Sequence, residues 1–344
     1  MEGYPFVRNI LRAETLASRF NSMRKFHPRV LQVKKQPLVD NLPDLPVDIA
    51  KYDGKFQLLV EPINSQVTFT ELVDVFQEEQ VVQARWSQQP SMLTTFMENQ
   101  EELQSLPPEE QRKSLRELTK PISRFRPTTL VTLIKMYKPK CILDPCAGFG
   151  DRLLGALAYS DRLKYYCGID PNAALHTGYQ EMIDFFAPSA DRAKYHMIRG
   201  CSEKIEFPSA PVKGGKYDMV MTSPPYYDLE VYDQEDSKRH EQSITRYDTV
   251  EEWYQGFLLP TMKKAVNSLA KYGSLILSLN DKPDKEEPYT ERLVRDLSAM
   301  VTLQYEGVLH VTTDLSYEHA VKDGTRVEGC QPLWVWRKTC EVDL

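Results

Sequence analysis

No stretch of the 344-residue sequence stays apolar for long: the longest runs, such as 275–279, fall far short of the roughly 20 residues that a membrane-spanning helix needs. Cysteine and histidine are scarce, at six residues each. The cysteines, at 141, 146, 167, 201, 330 and 340, form no Cys-x-x-Cys pair, and the histidines do not cluster. Neither a zinc knuckle nor a disulfide framework is therefore indicated, no metal is expected, and an intracellular, reducing compartment is the natural setting. An excess of positive charge is missing as well. The 43 Lys and Arg stand against 49 Asp and Glu, a net charge of −6 that argues against a histone-like coat for polyanions.

What is present is enough apolar material, 41% of residues, to bury a sizeable core in one large domain with an appendage or in two domains. The first 36 residues carry eight Lys and Arg against Glu2 and Glu14, which reads either as an organelle transit peptide or as a basic arm on a folded protein. Residues 37–62, rich in proline and aspartate, read as an irregular connector with at most one short strand at 56–60. Apolar residues then recur at helical spacing from 68 to about 86, and two more polar helices are expected over 91–103 and 108–118. Residues 1–121 thus form a mainly helical N-terminal region. From 122 to 344 strands alternate with helices, and two final strands near 303–311 and 332–337 have no helix between them. The pattern predicts an α/β fold, an open parallel sheet closed by an antiparallel hairpin, with a ligand site at the carboxyl ends of its strands.

Two motifs give that site a chemistry. Cys141-Ile-Leu-Asp-Pro-Cys-Ala-Gly-Phe-Gly150 is a short apolar strand running into a turn with glycines at 148 and 150. Glycine there lets a ligand approach the backbone, and the helix start supplies free N–H groups. The dinucleotide fingerprint requires a third glycine where Leu153 stands, and no lysine follows the turn, so a nicotinamide cofactor and a P-loop are both disfavoured. Asp170 ends the next strand, 20 residues past Gly150, where a carboxylate accepts the two ribose hydroxyls of a nucleoside or, alternatively, caps the following helix.

The second motif is Ser223-Pro-Pro-Tyr226, at the end of an apolar strand. Two prolines make the exit from the sheet rigid. The exocyclic amine of a nucleobase is a poor nucleophile because its lone pair is delocalised into the ring. Accepting both of its hydrogens, on Ser223 Oγ and the Pro224 carbonyl, relocalises the pair. Tyr226 then stacks on the face of a base turned out of its helix.

With both motifs in this order, residues 122–338 resemble the S-adenosylmethionine-dependent amino-methyltransferases that form N4-methylcytosine or N6-methyladenine in nucleic acid. The resemblance implies a Rossmann-like class I methyltransferase sheet. It assigns Asp144, Cys146, Gly148 and Gly150 to the methionine end of the cofactor, Asp170 to the ribose, and Ser202 or Glu203 to the neighbourhood of the adenine. Ser223, Pro224, Pro225 and Tyr226 become the catalytic tetrapeptide. Cys146 departs from the family's usual Phe and leaves a modifiable thiol or a looser pocket, and no large recognition domain follows the final hairpin. Sequence readout then falls to residues 1–121 or to the loop 227–247. Serine in the first tetrapeptide position slightly favours cytosine N4 over adenine N6. Related enzymes that methylate a protein glutamine amide carry Asn in place of Ser223, and a catalytically silent subunit would not need the intact motifs. Finally, Arg112, Lys113, Arg116, Lys120, Arg124 and Arg126 face a single acid, Glu117, and form a strip fit to carry a phosphate backbone or a solvated helix face.

Overall fold

The computed structural model describes residues 11–26, 29–32, 55–60, 69–77, 98–107, 110, 114, 125–227, 242–279, 289–312 and 331–340. Its centre is a nine-stranded sheet: β1 Arg29–Gln32, β2 Lys55–Val60, β3 Cys141–Asp144, β4 Tyr165–Asp170, β5 Tyr195–Arg199, β6 Tyr217–Thr222, β7 Leu269–Ser278, β8 Leu303–Thr312 and β9 Gln331–Lys338. The spatial order is β1-β2-β8-β9-β7-β6-β3-β4-β5. Strands β3 to β7 are mutually parallel, while β9 runs antiparallel to both β7 and β8. The seven strands from β3 onward have the order of the class I methyltransferase sheet, and β1 and β2 extend it beyond β8. The chain leaves β3 toward β4 and β5 on one side and later returns to β6 on the other, so the switch point, where such sheets bind ligands, lies between β3 and β6.

Two apolar layers cover the sheet, and strand alternation decides which residue serves which. Ile142 joins one core, whereas its neighbours Cys141 and Leu143 join the other. The first core packs under α1 Ala13–Arg24, α2 Glu71–Asp74, α4 Pro127–Tyr137, α5 Asp151–Leu157 and α6 Ala173–Phe186, with α3 Gln100–Gln104 a short separate turn. The second packs under α7 Val250–Trp253, a π-helical turn Tyr254–Leu258, α8 Leu259–Ser268 and α9 Tyr289–Ser298. Local chemistry sets the helix ends. Pro127 opens α4 and Lys138, in the left-handed conformation, closes it; Asn172 accepts from Ala174 N to cap α6; Thr249 and Glu252 form a reciprocal capping box on α7.

The N-terminal part differs from the sequence expectation. β1 lies in the basic stretch where no strand is expected, and β1 and β2 join the central sheet. Within the expected helix from 68 to 86 only Glu71–Asp74 is helical; Phe69 precedes it at φ 61°, residues 75–77 are turns, and the remainder lies outside the described residues. Of 91–103 and 108–118 only the part from 98 to 103 and residues 110 and 114 are described. α1 is seated on the core: Phe20 stacks on Phe186 with ring centroids 4.3 Å apart, and Arg24 pairs with Asp161 at 2.6 Å. On the other layer, β7 begins at Leu269 rather than near 274. Leu269 pairs with Tyr217, Ser274 with Met219, and Tyr272 takes φ 66° in the irregularity between.

Because Phe20 is buried against α6, Phe20→Ala should destabilise the whole protein by about 3 kcal/mol, as expected for an aromatic side chain removed from a core. Urea unfolding followed by circular dichroism should give one transition at a lower midpoint. An unchanged midpoint would mean that α1 contributes nothing to the core.

Candidate active site

At the end of β3 the Asp144 side chain is completely buried. Its Oδ2 accepts from Arg152 Nε at 2.7 Å and from the Tyr166 hydroxyl at 2.9 Å; its Oδ1 has no partner among the described residues. Burial works against the charge on Arg152, but the adjacent Asp144 outweighs it and raises the guanidinium pKa above its ordinary value. Burial, with Asp144 beside it, raises the Tyr166 phenol as well, so Tyr166 remains a donor. The Phe125 ring packs 5.0 Å from the Arg152 guanidinium carbon.

The turn that follows is held from behind by its carbonyl groups. Ser202 Oγ donates to Pro145 O, Arg152 Nη2 to Cys146 O, and the Tyr179 hydroxyl to Gly148 O; Gln77 Nε2 donates to Phe149 O at 2.7 Å. Gly148 at φ 61° and Gly150 at φ 101° turn the chain where a side chain would strain it. Gly148 N donates to Asp170 Oδ2 at 2.9 Å, and Asn172 N donates to Asp170 Oδ1 at 3.0 Å. The Gly150 N–H has no acceptor among the described residues. Burial pushes the Asp170 carboxyl up to about 7, against the lowering effect of these two backbone donors.

Thr222, the last residue of β6, ties this turn to the tetrapeptide: its Oγ1 accepts from Cys146 N at 3.0 Å. Next to it, neither the half-buried Ser223 hydroxyl nor the Pro224 carbonyl has a hydrogen-bond partner among the described residues. The Tyr226 hydroxyl lies 3.4 Å from Ser278 Oγ, which also accepts from Gln331 Nε2 at 2.6 Å, so the end of β7 and the start of β9 tether the Tyr226 ring. Tyr227 leaves the tetrapeptide at φ 29°, a strained conformation for a bulky residue. It is held by its hydroxyl on Asp248 O at 3.2 Å and by its ring against Trp253, with centroids 5.6 Å apart.

The structure thus brings Asp144, Cys146, Gly148, Gly150, Asp170 and Ser223–Tyr226 to one end of the sheet. Ser202 and Glu203, just beyond β5, are both engaged within the protein. Ser202 is buried with its hydroxyl on the Pro145 carbonyl, and Glu203 forms a buried ion pair with Arg246 at 2.8 Å. The half-buried Cys146, read from the sequence as a modifiable thiol or the mark of a looser pocket, has its thiol pKa raised by burial and by the neighbouring Asp144 and Asp170. Of the basic strip, Arg112, Lys113, Arg116, Lys120 and Arg124 lie outside the described residues; Arg126 is the residue that precedes α4. Sequence reasoning missed Arg152, Tyr166, Tyr179 and Gln77. Only Arg152 left a trace, as a charged residue within the apolar start of a helix next to the turn.

Breaking the buried pair by Arg152→Met should destabilise the protein by about 3–5 kcal/mol, because Asp144 is left uncompensated. Adding Asp144→Asn should recover part of that loss; strict additivity of the two changes in urea unfolding would refute the coupling. For Asp170 the folded pKa lies above the unfolded one, so between about pH 4 and 7 the folded state binds the extra proton. The carboxyl's contribution is complete below the unfolded value and is lost as pH rises through about 7. Asp170→Asn should therefore gain stability relative to the wild type from pH 4 to pH 8. A difference that is constant with pH would remove the raised pKa.

A scan against protein-family models finds no match, and neither does a search of curated proteins. Among solved structures, TrmN from Thermus thermophilus is 13% identical with a TM-score of 0.38, over 63% of this chain and 50% of that one. An rRNA methylase from Streptococcus thermophilus is 13% identical with a TM-score of 0.39, over 63% of this chain and 99% of that one. The O-methyltransferase of a trans-AT polyketide synthase multienzyme of Brevibacillus brevis, solved with S-adenosyl-L-homocysteine, is 13% identical with a TM-score of 0.36, over 62% of this chain and 72% of that one. The chain thus spans about half the length of the first and nearly all of the second. The fold assignment stands on the strand order, not on these likenesses.

Proposed function

We propose that the protein is an S-adenosylmethionine-dependent methyltransferase acting on the exocyclic amine of a nucleobase in nucleic acid, with cytosine N4 and DNA slightly favoured over adenine N6 and RNA. The observation that carries the reading is the Thr222–Cys146 hydrogen bond, which holds the Ser-Pro-Pro-Tyr exit beside the glycine turn at the switch point of the sheet. The residues fit the cofactor. Asp144 Oδ1 and the Gly150 N–H, both without a partner among the described residues, suit the methionyl ammonium and its carboxylate, and Asp170 keeps lone pairs for the ribose hydroxyls beyond the two it gives to backbone N–H groups.

When bound, S-adenosylmethionine supplies an electrophilic methyl group on a sulfonium. The protein's part is orientation. The Ser223 hydroxyl and the Pro224 carbonyl, both without other partners among the described residues, accept the two amine hydrogens and relocalise the lone pair. Tyr226, fixed through Ser278, stacks on the base and holds the amine in line with the methyl group. The methylated nitrogen then loses its proton readily to water, so no dedicated base is required. The basic strip 112–126 supplies phosphate contacts in this reading. Phe125, from within that strip, packs under Arg152 and joins its end to the cofactor turn.

Purified protein should transfer labelled methyl groups to DNA or RNA, and mass spectrometry of digested product should find N4-methylcytosine or N6-methyladenine. Ser223→Ala and Tyr226→Ala should each slow transfer by about a hundredfold or more while leaving S-adenosylhomocysteine affinity nearly unchanged. Label found only in protein would point instead to a side-chain amide substrate. Formation of 5-methylcytosine would refute attack by the amine, and no transfer at all would leave a silent binding subunit.

A further inference from the structure

Gln77 comes from the N-terminal region, 72 residues before the carbonyl that its side chain holds, and it is fully buried. The amide orientation is set by chemistry: Nε2 donates to Phe149 O at 2.7 Å, and the flipped amide would place two oxygens against each other. Its Oε1 is left buried without a donor among the described residues. An apolar side chain of the same size would avoid that cost, so what distinguishes glutamine here is the donor it offers to Phe149. The segment lies directly on α6, since a Cβ added to Gly178 would sit 2.5 Å from Phe76 O and 3.2 Å from Gln77 Oε1.

Holding a carbonyl also aims the N–H on the same peptide. The Phe149–Gly150 bond is trans and planar, as no described bond is cis, so its N–H points opposite to its C=O. With Phe149 O held toward Gln77 and α6, the Gly150 N–H faces the other way, and it is a peptide N–H of the turn with no acceptor among the described residues. Ser202, Arg152 and Tyr179 hold three other carbonyls of the same turn, and all three belong to the segment from β3 onward. Gln77 is the one of the four that comes from the N-terminal region.

We propose that Gln77 is a positioning residue for the cofactor site: by holding the Phe149 carbonyl it aims the Gly150 N–H at the carboxylate of the bound cofactor, so residues 69–77 belong to the cofactor site. This rests on the S-adenosylmethionine reading above. Calorimetry with S-adenosylhomocysteine on the full chain tests it. Gln77→Met, of similar length and without a donor, should bind about tenfold more weakly than the wild type at pH 8. Gln77→Glu should bind as weakly at pH 8 and recover most of the difference from wild type at pH 6, where a buried carboxyl takes up a proton and becomes a donor again. Comparison with the wild type at each pH removes the effect of Asp170. A purely packing role predicts no recovery, and equal affinities in all three proteins, or a Gln77→Glu loss that ignores pH, would overturn the inference. If Gln77→Met fails to fold, the two pH values of Gln77→Glu carry the test. A wild type that binds no S-adenosylhomocysteine would overturn the cofactor reading and this inference together, whereas tight wild-type binding with unaffected variants overturns this inference alone.

Discussion

The Asp144 carboxylate sits at the end of a strand in the middle of the sheet with no access to water, and such a group is tolerated only when its charge is met. Arg152 meets it from the first turn of α5 and Tyr166 from β4, so one carboxyl group fixes a helix and a neighbouring strand relative to β3. The same guanidinium reaches on to Cys146 O and lies over Phe125. The glycine turn is therefore not a flexible loop that closes on a ligand. It is a backbone segment whose carbonyl groups are already held on one side, which leaves the Gly150 N–H for the other. Preorganisation of this kind spares a ligand the cost of ordering the turn.

The alternation of strands and helices from β3 onward was legible because its signals are local. Buried parallel strands read as short apolar runs, and helices between them carry their own caps at Pro127, Asn172 and Thr249. The glycine turn, Asp170 and the tetrapeptide were legible for the same reason. What stayed hidden depends on partners distant in sequence. β1 is a strand because β2 pairs with it and β2 because β8 does, and nothing within Arg29–Gln32 announces that. Gln77 sits in an apolar pattern where one polar residue looks like solvent exposure, and Tyr166 and Tyr179 look like ordinary core aromatics until their hydroxyls find Asp144 and Gly148. Ser202 follows β5, and the bond from its hydroxyl to the Pro145 carbonyl of the turn has no signature in the local sequence.

The two halves of the site are supported in different ways. The glycine turn rests on buried side chains and the rigid edges of β3 and β4. The tetrapeptide leaves β6 through prolines, and beyond it Tyr227 is kept in a strained conformation by Asp248 and Trp253. Trp253 is itself fixed through its indole N–H on Ser243 Oγ at 3.0 Å, just ahead of the π-helical turn. Arg246, in the same segment, pairs with Glu203 beyond β5. Residues 242–253 therefore contact both the exit of the tetrapeptide and the segment beyond β5, which ties that exit to the far edge of the sheet.

The position of β9 has a consequence for how the protein is made. β9 lies between β7 and β8, and β1 and β2 connect to the remaining strands only through β8. During synthesis the five parallel strands and their helices leave the ribosome early enough to assemble on their own, whereas β1 and β2, although made first, can pair beyond each other only with β8 and reach the parallel strands only when residues 331–338 arrive. The first and last parts of this sheet must therefore be completed together, after translation has passed residue 338, and until then β7 presents an open edge that another nascent chain can occupy.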